Sequence, residues 1–126
     1  LIDTGFNEKF ANVNGLYGAG TYFGEDPAKC DQYVTSDSKD YYYVFMARVT
    51  LGKPYRGKEL LQGALQAPGP FTPQGKKLGV TKAHDSVVTH KRPDLDDGKW
   101  FNFREFIIYY GDLAYPEYIL QYSRDK

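Results

Sequence analysis

Only one cysteine occurs in the 126 residues, Cys30, so neither an internal disulfide framework nor a cysteine metal cluster is available to this chain. A lone thiol is compatible with a reducing, intracellular compartment, cytoplasm or nucleus. No apolar run approaches the ~18 residues needed to cross a membrane, and no signal peptide is evident. An excess of either charge is lacking too: 16 Lys and Arg balance 16 Asp and Glu, and there is no long basic run. That balance argues against nucleic acid as a charge-driven partner. No repeat or linker divides the chain, and its length suits a single domain, residues 1–126, around one core. The first residue is Leu1 rather than Met, which predicts an excerpt of a longer protein.

What the chain has in abundance is aromatic side chains, 17% of residues, with 12 tyrosines. Tyrosine joins apolar area to a polar tip and suits half-buried strands and pockets. The stretch Tyr17 to Tyr33 concentrates three of them, Tyr17, Tyr22 and Tyr33, around a glycine-rich turn or tight strand with Gly18, Gly20 and Gly24. A dinucleotide fingerprint would need its third glycine at position 23, where Phe23 stands. The glycines instead suit close approach of two backbones. Asp26-Pro27 predicts a helix start, with Asp26 capping free N–H groups and Pro27 in the first turn, and the helix is expected to run to about Val34.

Residues 6–15 hold three asparagines and a closing glycine, and read as an irregular loop. Phe6 and Phe10 could anchor it inward, and it is either a plain connector or a lid over a pocket. Tyr43 to Leu51 alternates as a strand, with Tyr43, Phe45, Ala47, Val49 and Leu51 on one face. Glu59 to Leu65 fits a short helical stretch. The prolines and glycines of 66–79 predict mostly loop. Asp85 to Thr89 is a short strand, 92–98 a charged loop, Trp100 to Tyr110 the strongest strand, and Tyr118 to Tyr122 a last one. Short strands without regular strand–helix alternation predict an α+β fold, mostly antiparallel.

Glu105 stands out on the strand from Trp100. It shares a face with Phe101, Phe103, Ile107 and Tyr109. A carboxylate there loses hydration and is a functional candidate, unless that face meets solvent or an Arg or backbone N–H satisfies it. His84 and His90 read as a strand-flanking polar residue and a loop residue.

Taken together, YGAGTYF (Tyr17 to Phe23), the spaced Cys30 and Tyr33, VTLG (Val49 to Gly52) and EFIIYYGDLAYPEYILQY (Glu105 to Tyr122) resemble the catalytic domain of the poly(ADP-ribose) polymerases, most closely its tankyrase-like members. The resemblance runs from about Gly5 to Tyr122 and is weakest between Gly57 and Ala83. It implies the ADP-ribosyltransferase fold, two packed and mostly antiparallel sheets with short helices. It also implies transfer of ADP-ribose from NAD to a protein acceptor with release of nicotinamide.

By the same resemblance Glu105 is the catalytic glutamate and Tyr22 the tyrosine of a His-Tyr-Glu triad. Tyr22 and Tyr33 are the walls of the nicotinamide pocket, with Tyr17 beside them. Cys30 stands where the family usually has a serine that bonds the nicotinamide amide, and a thiol is the weaker partner. Phe6 belongs to the loop that covers bound NAD. The triad histidine precedes that loop in the family. Both His84 and His90 follow Tyr22, so the chain is expected to be the C-terminal part of the catalytic domain, without its His-containing segment. The cysteine cluster that binds metal in tankyrases is missing, so no zinc is expected. An inactive NAD- or ADP-ribose-binding or protein-interaction module, or an NAD glycohydrolase, is the alternative reading.

Overall fold

The computed structural model describes residues 16–31, 34–57, 59–89 and 104–124. Among these, six strands form two sheets. The strands are β1 (Thr21–Gly24), β2 (Tyr42–Val49), β3 (Pro54–Tyr55), β4 (Ser86–Val88), β5 (Glu105–Ile108) and β6 (Ala114–Tyr122). Two short helices, α1 (Pro27–Asp31) and α2 (Pro73–Leu78), and a 3-10 turn at Gly111–Leu113 complete the set. One sheet has the order β1-β5-β4-β3, the other pairs β2 with β6. Every pairing is antiparallel except β3 with β4. This is the expected α+β architecture.

The four-stranded sheet is organised around β5. Ile107 and Ile108 are fully buried, and Val87 and Val88 of β4 lie beside them. One face packs on a core of Tyr17, Leu61, Ala64, Val87, Ile107 and Tyr109. The segment from Leu61 to Ala67 is held beneath by backbone bonds, from Leu61 N–H to Leu16 O at 2.9 Å and from Ala19 N–H to Ala64 O at 2.7 Å. These tertiary bonds replace the short helical stretch expected over Glu59–Leu65. Gly63, at φ 80, further excludes a helix there.

Residues 66–79, expected to be mostly loop, contain α2. Thr72 caps it by accepting from Gly75 N–H at 2.9 Å, Pro73 begins it, and Gly79 at φ 71 ends it. The density of Pro and Gly concealed a conventional start and stop.

Three further boundaries differ from expectation. Helix α1 ends at Asp31, and Val34 is not helical. Strand β5 is limited to Glu105–Ile108, because Tyr109 leaves the ladder and turns its phenol inward; residues 100–103 of the expected strand lie outside those described. Strand β6 begins at Ala114, four positions early, since Pro116 is accommodated opposite Ala47 at a register shift between Met46 and Ala47. The same shift changes the phase of β2. Tyr42 and Val44 are half-buried before it, Ala47 and Val49 after it, so the strict alternation predicted for this strand does not hold. The connection that follows β2 is tied to β4, where buried Ser86 donates through Oγ to Leu51 O at 2.7 Å.

Candidate active site

The glycine-rich turn before β1 is shaped by close packing. Gly18 has φ +84, and a Cβ there would lie 2.7 Å from the Ala64 backbone nitrogen. Gly20 leaves no room for a Cβ beside the Ile108 carbonyl. The chain is thereby drawn against the core, and Tyr22 is aimed back over its own turn. Its phenol accepts from Tyr17 N–H at 2.8 Å and donates to Gly18 O at 2.9 Å. The Tyr17 and Tyr22 rings are tilted at 60° with centroids 6.4 Å apart.

Strand register places Glu105 beside this tyrosine. Tyr22 opposes Ile107 and Gly24 opposes Glu105, so Tyr22 and Glu105 share one face of the ladder. Glu105 is half-buried. Thr89 holds both of its backbone groups, Thr89 Oγ1 accepting from Glu105 N–H at 2.8 Å and Thr89 N–H donating to Glu105 O at 3.0 Å. Thr89 itself is buried. The neighbouring guanidinium of Arg104 is directed to Glu25, with Nε donating to Oε2 at 2.9 Å and a second bond to Oε1.

Helix α1 supplies the third group. Asp26 caps it as expected, its Oδ1 accepting from Ala28 N–H at 2.8 Å. Cys30 on this helix is half-buried. Burial pushes its thiol up from the ordinary value; a backbone bond from Gly24 opposes this, and the charges of Glu105 and Asp26 add to the rise. The Tyr22 phenol is pushed up to about 12, by burial first, against the Tyr17 backbone bond, with the Glu105 charge adding to it. Glu105 thus acts on both Tyr22 and Cys30, and both remain protonated near neutral pH.

A profile of the family described as "Poly(ADP-ribose) polymerase catalytic domain" matches residues 1–124. The chain belongs to the poly(ADP-ribose) polymerase catalytic domain family. Among curated relatives, it is 30% identical over 125 residues, 98% of this chain, to the human "Protein mono-ADP-ribosyltransferase PARP12". The chain spans 15% of that relative's length. Domains of this family use NAD as the donor substrate, and their shared chemistry is ADP-ribosyl transfer.

Of the residues singled out for this polymerase-family domain, Tyr17 and Tyr22 are in contact, Tyr22 and Glu105 share one face of the β1–β5 ladder, and Cys30 lines a cavity with Tyr22 but not with Glu105. Tyr33 and Phe6 lie outside the described residues, as does His90. His84 is occupied elsewhere, its Nδ1 2.7 Å from Pro68 O and its ring edge-on to Tyr55 at 5.3 Å. Among the described residues, no group of three or more His, Cys, Asp and Glu side chains converges as a metal site, and no helix is long and apolar enough to cross a membrane.

Neither of two cavities among the described residues defines the site by itself. One, of about 490 Å³, is lined among others by Tyr22, Phe23, Cys30, Val44, Ala47 and Phe106. Its β5 contribution is Phe106, which with Phe23 occupies the face opposite to Glu105, so this space separates the two sheets. The other, about 520 Å³, lies between Leu61 and α2 and includes none of Tyr22, Cys30 and Glu105. The site is therefore assigned from the ladder face that carries Tyr22 and Glu105, not from cavity size. Sequence reasoning missed Thr89 and the Glu25–Arg104 pair. The latter spans 79 positions, and no local pattern signals it.

Proposed function

We propose that this domain binds NAD and transfers its ADP-ribose to a protein acceptor, releasing nicotinamide. The observation that carries this reading is Glu105 on the same ladder face as Tyr22, in a chain that belongs to the family. The nicotinamide ring of NAD is a pyridinium cation. Tyr22, with Tyr33, walls it and supplies cation–π attraction of ~0.5–2 kcal/mol. Cys30 offers its S–H to the ring's amide, Phe6 belongs to the loop assigned to cover NAD, and Tyr17 supports Tyr22 from the core through its N–H.

Breaking the bond between nicotinamide nitrogen and ribose C1′ leaves the electron pair on nicotinamide and positive charge on the ribose. The Glu105 carboxylate stabilises that charge and holds a ribose hydroxyl. The acceptor nucleophile then bonds to C1′, and its proton passes to Glu105 or to water. A neutral Tyr22 matters here, because a phenolate would add a second negative charge beside Glu105. The name of the human relative supports transfer of single ADP-ribose units. The lone cysteine supports an intracellular setting.

The test is incubation of the full-length protein with NAD labelled in its adenylate part. Denaturation-resistant label on protein, lost in Glu105→Gln, is expected, and band spacing on a gel reads the product length. Label found only as free ADP-ribose, or none released, would overturn the transferase reading.

A further inference from the structure

Helix α1 has five residues, too few to hold its own orientation. Asp26 fixes its first turn. Its last residue, Asp31, is gripped from the far end of the chain. The Tyr122 phenol and the Arg124 guanidinium both donate to Asp31 Oδ1, Arg124 through Nε at 3.1 Å and Nη2 at 2.9 Å. Nη2 also donates to the Asp31 backbone carbonyl at 2.8 Å. The guanidinium lies 3.9 Å from the centroid of the Tyr42 ring, and Tyr42 stacks on Tyr122 at 5.5 Å and 28°. Tyr42 and Tyr122 are register partners at the end of the β2–β6 ladder. One carboxylate thus ties α1 to the corner of the second sheet.

We propose that Asp31, Tyr122, Arg124 and Tyr42 form a positioning clamp that sets the orientation of α1, and so the place of the Cys30 thiol relative to β1, the strand that carries Tyr22. The proposal rests on the ADP-ribosyl-transfer reading above. Cys30 immediately precedes Asp31 on the same helix, and it lines a cavity together with Tyr22 and Gly24 of β1. Rotation of α1 changes that relationship directly. The Arg124 and Asp31 side chains are 43% and 38% exposed. Ion pairs this wet add little to stability, so the clamp acts through geometry. Arginine suits the task because its planar fork bonds both side chain and backbone while lying on an aromatic face; lysine cannot do all three.

The test compares Asp31→Ala, Arg124→Ala, Arg124→Lys and Tyr122→Phe in the full-length protein. Two readouts are used, steady-state kinetics with NAD and the rate at which iodoacetamide alkylates Cys30, followed by mass spectrometry. In both alanine variants KM for NAD should rise roughly fivefold to tenfold with kcat within about twofold. Cys30 alkylation should quicken at least ~threefold, and melting should move by less than about 3 °C. Arg124→Lys and Tyr122→Phe should fall between the alanine variants and the parent. The clamp is overturned if KM and alkylation match the parent, or if kcat falls in step with a lowered melting temperature, the mark of a merely structural role. An unmutated protein that transfers no label would overturn the transfer reading alone, because the alkylation rates test the clamp without catalysis.

Discussion

Tyr22 and Glu105 are diagonal neighbours on one face of the β1–β5 ladder, fixed there by the opposition of Tyr22 to Ile107 and of Gly24 to Glu105. The carboxylate is held by its strand, with Thr89 bonding its backbone on both sides. Glu105→Gln retains size and hydrogen-bonding capacity and removes only the charge. Transfer should fall at least ~100-fold while KM for NAD stays within about threefold, measured with labelled NAD on the full-length protein. Equal activity would remove Glu105 from the mechanism.

The same charge makes a prediction at Cys30. Burial raises the thiol first, and the negative charges of Glu105 and Asp26 raise it further. The pH midpoint of Cys30 alkylation should therefore lie above that of an exposed thiol. Removing the Glu105 charge favours the thiolate, so Glu105→Gln should shift the midpoint downward and Asp26→Asn should do so by less. An upward shift in either variant would contradict the placement of α1.

The glycine turn is testable as packing. Gly18→Ala meets both a positive φ and the Ala64 backbone. Gly79, the cap of α2, has φ +71 with nothing within 4 Å of its Cβ position. Gly79→Ala should cost about 1 kcal/mol, from backbone conformation alone. Gly18→Ala should cost more than about 2 kcal/mol, because the neighbouring chain must also shift. Thermal melting of the two variants ranks them, and a reversed order would refute the contact.

This contrast shows what the sequence could disclose. Asp26-Pro27 announced α1, and the apolar run after Glu105 announced β5, since both signals are local. The phase change in β2 was illegible because it arises from the register with β6. Leu61 and Ala64 were expected in a helix, yet their backbones bond to Leu16 and Ala19, contacts no periodicity records. The family resemblance named Tyr22 and Glu105 together, and their shared ladder face comes from a pairing of distant strands that no local pattern records; Thr89, which bonds the Glu105 backbone, carried no signal. The grip of Tyr122 on Asp31 spans 91 positions and exists only in the folded chain.

Tyr109 links the buried core to the site. It is 3% exposed, and its phenol donates to Tyr17 O at 2.7 Å. Tyr17 in turn donates its N–H to the Tyr22 oxygen at 2.8 Å. Tyr109→Phe leaves the Tyr17 carbonyl without this partner and should cost about 1–3 kcal/mol, with a several-fold loss of kcat as the Tyr17–Tyr22 turn loosens. The pH dependence has a definite sign. Burial raises both phenols above their ordinary value of 10.0, Tyr22 to about 12 and Tyr109 upward as well. The protonated forms therefore contribute their full stability below about pH 10, and that contribution is lost as pH rises through the folded-state values. Melting of the parent should decline steeply above about pH 10, and Tyr109→Phe should start lower and decline less. A parallel decline in the two proteins would show that the Tyr109 proton is not held by the fold.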